Sequence, residues 1–269
     1  MSEQLDGLPP TIDTSTPHPA RRYDYWLGGK DNFAADRASG DAIAAAFPSA
    51  RTAAIENRRF LRRAVSYLAR ERGIRQFLDI GTGIPSANNT HEVAQAIAPE
   101  TRVVYVDNDP IVLVHARALL TSAPEGTTAY LDADIREPGP ILERAAQTLD
   151  FSQPIGLMLL AILHFVEDHD DPYGHVATLV EAMPAGSYLT LTHGTVDHQS
   201  PETLAAMADI IRTTPGQFRS RDEVAGFLDG LEILPPGIVS VADWRAEDEE
   251  QPRPTPAETE IYGAVARIR

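Results

Sequence analysis

Three aspartates, Asp79, Asp107 and Asp134, each stand at the end of a short apolar run, and glycines follow the first of them at 81 and 83. In "FLDIGTGIPSANNTHE" (77–92) an apolar run leads into Asp79, then the two glycines, then a segment with helix-start signals. A carboxylate there suits a cationic ligand group and repels a pyrophosphate, while glycines let the backbone come close to a ligand. The dinucleotide fingerprint would need a third glycine at 86, where this chain has Ser86 after Pro85. Taken alone, Asp-x-Gly-x-Gly is equally well a tight turn between a strand and a helix. Asp107 follows Asp79 by 28 residues, in "VVYVDNDP". A carboxylate at that position can accept hydrogen bonds from both hydroxyls of a ribose. The alternative, a helix cap, is already supplied by Asp109, so Asp107, with Asn108 beside it, is read as facing a ligand. In "DADIREP" Asp134 can accept from an adenine amino group while Ile135 covers the ring; Asp132 reads as a solvated loop residue.

Proton chemistry would fall to histidine. His164, in "LLAILHFV", stands where a fourth run ends and is the candidate general base; a satisfied buried histidine is the competing reading. His91, just after the glycine loop, packs or touches the ligand, and His193 is a weaker third candidate. The aspartates of "EDHDDP" (167–172) have oxygen ligands to offer a divalent ion, but a helix-capping acidic loop is the preferred reading, and no metal site is expected. The acidic run 247–250 reads as solvated surface.

These residues need a scaffold that brings distant segments to one edge. Runs at 75–80, 102–107, 128–134, 155–166 and 187–194 are apolar without alternation, as expected of parallel strands covered on both faces. Helical patterns fill the gaps at 49–72, 90–98, 110–120, 172–183, 200–214 and 220–230. Asn89 with Glu92 has capping-box spacing, Asp109 precedes Pro110, and Asp171 precedes Pro172. Two final strand-like segments, 238–244 and 260–269, are joined by an acidic, proline-rich connector and predict an antiparallel pair. The fold class predicted is α/β: a Rossmann-like, doubly wound, mostly parallel seven-stranded sheet with an antiparallel C-terminal strand pair and an N-terminal helical arm.

That arm contains "RRYDYWLGGKDNF" (21–33), with Tyr23, Tyr25 and Trp26 ahead of Gly28-Gly29-Lys30. Such aromatics could dock across the sheet edge as a lid that keeps water out; ordinary packing around a Gly-Gly turn is the alternative. The formal net charge of −16 disfavours nucleic acid as a partner. With no cysteine, disulfides and thiolate zinc sites are excluded. The longest apolar run, "IGLMLLAIL", falls short of the ~18 residues a membrane span needs. The first ~17 residues carry no signal-peptide pattern and read as flexible, so a cytoplasmic protein is expected.

The ordered set "LDIGTG", "VYVDND", "DADIREP" and "AILHFV" resembles class I S-adenosylmethionine-dependent methyltransferases. "ARRYDYWLGGKDNFAADR", "FLDIGTGIPSANNTHEVAQ", "RVVYVDNDPIVLVHARALL" and "LLAILHFVEDHDDP" narrow it to a bacterial methyltransferase family that was once a domain of unknown function. The resemblance implies S-adenosyl-L-methionine as cofactor, with S-adenosyl-L-homocysteine as product. It places Asp79 at the methionine ammonium, Gly81 and Gly83 behind the amino-acid moiety, Asp107 at the ribose, and Asp134 with Ile135 at the adenine. Ala161 and Ile162 would line the sulfonium side. The arm would bring Tyr25 and Lys30 to the cofactor, Lys30 to its carboxylate. No Asn-Pro-Pro-Tyr motif stands at the fourth strand, which argues against amino-group methylation of that type. Residues 18–73 are then an arm and helices capping the cofactor site, and 74–269 the methyltransferase domain acting on a small-molecule acceptor. An NAD-dependent oxidoreductase and a non-catalytic S-adenosylmethionine-binding protein are the alternatives.

Overall fold

The structure is a computed structural model that describes residues 13–119, 122–205, 208 and 216–269. Most of the segment expected to be flexible, 1–17, and most of the helix expected at 200–214 lie outside the described residues.

Five parallel strands form the body of the sheet: β1 (Gln76–Ile80), β2 (Arg102–Asp107), β3 (Thr127–Asp132), β4 (Gly156–Leu160) and β5 (Tyr188–Gly194). Three antiparallel ones follow: β6 (Glu232–Ile233), β7 (Val239–Ser240) and β8 (Ile261–Arg267). The order is β3-β2-β1-β4-β5-β8-β6, with β7 also pairing β8, so the sheet has eight strands where seven were expected. The extra one is β6, only two residues long and without an apolar run to announce it. The expected antiparallel pair exists, but 238–244 contributes only two paired residues before the chain turns away. The strand expected at 155–166 stops at Leu160, because Ala161 adopts a left-handed φ of 53° and a short 3-10 turn, Leu163–Phe165, follows.

Side chains on the sheet alternate between two apolar layers. Leu78, Val104, Leu157, Leu189 and Ala264 pack on one face, while Phe77, Val103, Tyr105, Met158 and Val265 pack on the other. The second layer is closed by Phe60, Leu61, Ala64, Val65 and Leu68 of α3 (Ala50–Glu71), together with Trp244. With both faces covered, strands of this kind read as continuous apolar runs. The helices α4 (Thr90–Gln95), α5 (Pro110–Leu119), α6 (Pro138–Ala145) and α7 (Pro172–Glu181) connect the strands. Strand order reverses between β1 and β4, which opens a crevice beyond their carboxyl ends.

The N-terminal arm is two helices, α1 (Pro19–Trp26) and α2 (Ala34–Ala46), packed above that crevice. Gly28-Gly29 is the turn between them: Asp24 closes it by accepting from Asp31 N (3.0 Å) and Asn32 Nδ2 (2.8 Å). A Cβ at Gly29 would lie 1.9 Å from the Asp24 carboxylate, so any larger residue would have to displace the group that closes the turn. The arm is fixed to the domain by a buried ion pair. Arg21 Nε and Nη2 donate to the two oxygens of Asp109 at 2.9 and 3.0 Å. Asp109 also caps α5 as expected, accepting from Ile111 N at 3.0 Å. Tyr23 adds a bond to Ala54 O at 3.0 Å and accepts from Asn57 Nδ2.

Candidate functional site

A cavity of about 580 Å³ occupies the crevice at the switch point, within the range of ~300–1,000 Å³ typical of small-molecule sites. Its floor is the strand tips: Asp79, Gly81, Gly83, Asp107, Asn108, Asp134, Ile135, Ala161, Ile162 and His164 all line it. Thirteen site residues were predicted, and these ten converge from four separate loops.

The alternation of β1 turns Asp79 toward the α3–α4 side, where its Oδ2 accepts from Thr90 Oγ1 at 2.6 Å. Burial pushes its pKa up to about 6, with Thr90 and the nearby Arg58 pulling the other way. Gly81 and Gly83 have φ of 75° and 68°, the left-handed region. At Gly81 a Cβ would also sit 2.7 Å from Ile162, so that turn and the β4 loop touch only because the side chain is absent. Asp107 joins the first two loops: its Oδ2 accepts from Gly83 N at 2.8 Å and its Oδ1 from Asp109 N at 2.9 Å. Burial raises Asp107 to about 6 as well, against those backbone bonds. Asn108 Nδ2 donates to Asp134 Oδ2 at 2.9 Å. Burial pushes Asp134 up, but bonds from Arg136 and Asn108 outweigh it and hold the carboxyl below its ordinary value. Among the described residues neither Asp79 nor Asp107 makes an ion pair.

Ala161 holds its left-handed backbone through a bond from its N–H to Thr192 Oγ1 at 2.8 Å. A non-glycine residue in that region is uncommon and marks a constrained loop. His164 turns its ring along the cavity wall while Nδ1 is sealed without a hydrogen-bond partner. Burial lowers its pKa to about 3, with His193, Arg219 and Arg22 adding to the effect. The residue read as a candidate base therefore lines the cavity with its imidazole held in the neutral form by burial. His193 lies behind it, bonded to Gly194 O (2.8 Å) and to buried Arg219 (2.9 Å), and does not line the cavity. The acidic loop is likewise explained by arginines, since Asp168 pairs with Arg219 at 2.6 Å and Asp170 with Arg136 at 2.9 Å.

Three predicted residues do not line the cavity. Tyr25 faces away from it, donating to Asp41 Oδ1 at 2.8 Å, because the cavity face of α1 runs through Pro19, Arg22, Tyr23 and Trp26. Lys30 is exposed just past the Gly-Gly turn. His91 packs: its ring Nδ1 and its backbone N–H both bond Tyr105 Oη at 2.8 Å.

The roof was not foreseen in detail. Arg22, Tyr23 and Trp26 of α1, Phe47, Asn57 and Arg58 around α3, and Phe218 and Glu260 from the C-terminal half complete the cavity. Arg58 is committed to Ala87 O, Asn88 O and Asn89 Oδ1 at 3.0, 3.1 and 3.4 Å, which holds the loop after the glycines. The two adjacent arginines before the aromatics were the available signal, because a buried arginine must meet an acid or a ligand.

The profile of the S-adenosyl methyltransferase family matches residues 6–269. A DUF574 family protein from Streptomyces avermitilis is 46% identical in its solved structure, with a TM-score of 0.89, covering 96% of this chain and 100% of that one. A provisionally assigned methyltransferase from Thermobifida fusca is 40% identical, with a TM-score of 0.86, covering 97% of this chain and 98% of that one. The mitomycin 7-O-methyltransferase MmcR shares the fold at 18% identity, with a TM-score of 0.51 over 82% of this chain and 56% of that one. No curated protein matches the chain. No helix among the described residues is long and apolar enough to cross a membrane. These matches set aside the oxidoreductase and the non-catalytic readings: the chain belongs to the S-adenosyl methyltransferase family, and it is an enzyme whose cofactor is S-adenosyl-L-methionine.

Proposed function

We propose that the strand-tip cavity holds S-adenosyl-L-methionine and presents it to a small-molecule acceptor. One observation carries this reading. Asp79 and Asp107 are buried carboxylates, both raised to about 6, that face one cavity with no cationic partner in contact. Unpaired buried charge is costly. A ligand that brings an ammonium to one and a pair of hydroxyls to the other removes that cost. In this reading Asp79 takes the ammonium, Gly81 and Gly83 back the amino-acid end, and Asp107 with Asn108 takes the ribose. Asp134 and Ile135 take the adenine, and Ala161 and Ile162 line the sulfonium side. The close approach at Gly81, where a Cβ would collide with Ile162, supports a cradle shaped for a ligand.

S-adenosyl-L-methionine supplies a methyl group already activated on a sulfonium. This chain's task is then to align the acceptor, which can contribute about 7–11 kcal/mol. His164 stands on the acceptor side as a neutral hydrogen-bonding group. The arm acts as a fixed roof that excludes water, held by the Arg21–Asp109 pair.

The test is calorimetric titration of S-adenosyl-L-homocysteine into wild type and Asp107→Ala. Two charge-assisted hydrogen bonds predict about hundredfold or greater weakening. An unchanged dissociation constant overturns the placement. Turnover on a panel of metabolites, read as S-adenosyl-L-homocysteine release, tests the acceptor class; methylation confined to macromolecules overturns it.

A further inference from the structure

Arg22 is 4% exposed, yet it lines the cavity. Among the described residues its guanidinium has no hydrogen-bond or ion-pair partner. Asp36, the acid whose charge acts on it, accepts from the backbone N–H groups of His18 and Phe33, each at 2.8 Å. Among the described residues the other arginines of the cavity have side-chain or backbone partners, although the three bonds of Arg58 all come from Nη2 and its Nε has none. Arg58 holds three oxygens of the 87–89 loop, and Arg136 pairs with Asp134 and Asp170. His18 pairs with Asp109, and His169 contacts Glu167 and Asp170. Asp36 supplies charge to Arg22 through space but no hydrogen bond, so the donors of this buried guanidinium are left for a ligand. Its five donors in a rigid fork match a carboxylate in two-point contact.

Two ligands could bring that carboxylate: the cofactor's own amino-acid end or the acceptor. Electrostatic proximity separates them. Arg58 holds the 87–89 loop beside Thr90, which bonds Asp79, where the ammonium is proposed to sit, whereas Arg22 lies on the cavity face of α1 with Trp26 and its charge reaches His164, on the acceptor side. The lining near the arm is apolar, with Trp26, Phe47, Leu61 and Phe218. Among the described residues Arg22 is the cavity arginine whose side chain has no partner, and a cation in such walls fits a monoanion on an apolar body.

We propose that Arg22 holds the carboxylate of the methyl acceptor, so that the substrate is a small apolar carboxylic acid methylated on oxygen. This rests on the reading that the strand tips hold the cofactor. In the transfer a carboxylate oxygen forms the new bond to the methyl carbon. The carbon–sulfur bond breaks and its electron pair stays on sulfur. The products are a neutral ester and a neutral thioether, and no proton moves. Such an acceptor arrives ionised and needs no strong base, which agrees with the weakly basic His164.

The probes are benzoate, phenylacetate, cinnamate and octanoate, each against its primary amide, titrated into enzyme saturated with S-adenosyl-L-homocysteine. At least one acid should bind tenfold or more tightly than its amide, and should yield methyl ester when S-adenosyl-L-methionine replaces the product. Arg22→Gln should weaken that acid by about tenfold to a hundredfold, and Arg22→Lys should retain part of the affinity. Both variants should bind S-adenosyl-L-homocysteine within twofold of wild type. Four acids that bind no better than their amides overturn the proposal on wild type alone, whatever the variants do. A tenfold loss of S-adenosyl-L-homocysteine affinity in both variants also overturns it and assigns Arg22 to the cofactor carboxylate. Failure of the cofactor placement itself would appear instead as an unaffected Asp107→Ala.

Discussion

Replacing Arg21 by alanine should loosen the roof of the site, and the structure sets the size of the effect. Arg21 meets Asp109 in two hydrogen bonds of 2.9 and 3.0 Å, with side chains only 6% and 0% exposed. Without the guanidinium, Asp109 keeps its capping bond from Ile111 N and the imidazole of His18 at 3.1 Å. His18 cannot replace the lost charge, because burial, ahead of the opposing pull of Asp109, keeps its pKa below the ordinary value. Removing one partner of a buried pair costs about 3–5 kcal/mol. Asp109→Asn preserves an oxygen for the cap while deleting the charge, so it completes a double-mutant cycle. Urea unfolding followed by circular dichroism should give a coupling energy of about 2 kcal/mol or more between the two positions. S-adenosyl-L-homocysteine affinity should fall in Arg21→Ala, because the same loop carries Asp107. A coupling below about 0.5 kcal/mol, the ordinary scatter of additivity, would refute the view that this pair docks the arm.

Gly81→Ala should destabilise the apo-protein by about 1–3 kcal/mol, since the backbone there is left-handed and the new methyl would meet Ile162 at 2.7 Å; the readout is a denaturation curve. His164 titrates at about 3 in the fold against an ordinary 6.5. The unfolded chain therefore binds the proton first, and this group's contribution is complete above 6.5 and lost as pH falls. Between pH 6 and 5 wild type should lose about 1 kcal/mol more than His164→Gln; equal slopes would show that the imidazole is not held neutral.

Much of the site was legible because it is built from strand ends. Asp79, Asp107 and Asp134 stand where apolar runs stop, and a parallel sheet brings such ends to one edge whatever their separation in sequence. Ala161 and Ile162 lie in the cavity for the same reason, though the left-handed turn at Ala161 was invisible in an apolar run that continues to Val166. The arm was harder. Its aromatics were recognised, but which of them faces the cavity depends on how α1 is rolled about its axis, and that is fixed by Arg21 reaching Asp109, 88 positions away. The roll turns Tyr25 outward and Arg22 inward. For His91 the sequence left packing and ligand contact both open, because the choice depends on Tyr105 of the neighbouring strand, which bonds its ring Nδ1 and its backbone N–H. Two-residue strands such as β6 carry no periodicity to read.

The position of β8 has a consequence for the order of assembly. It pairs with β5 over seven positions, from Tyr188↔Arg267 to Gly194↔Ile261, and with β6 and β7 on its other side. Residues 195–260 separate β5 from β8, and bringing so distant a pair together is entropically slower before its contacts form than closing the 81–101 connection between β1 and β2. The row of carboxylates should therefore come together first, and the wall carrying Glu260 should arrive late. Pulsed hydrogen exchange during refolding would register this as delayed protection of Ile261–Arg267.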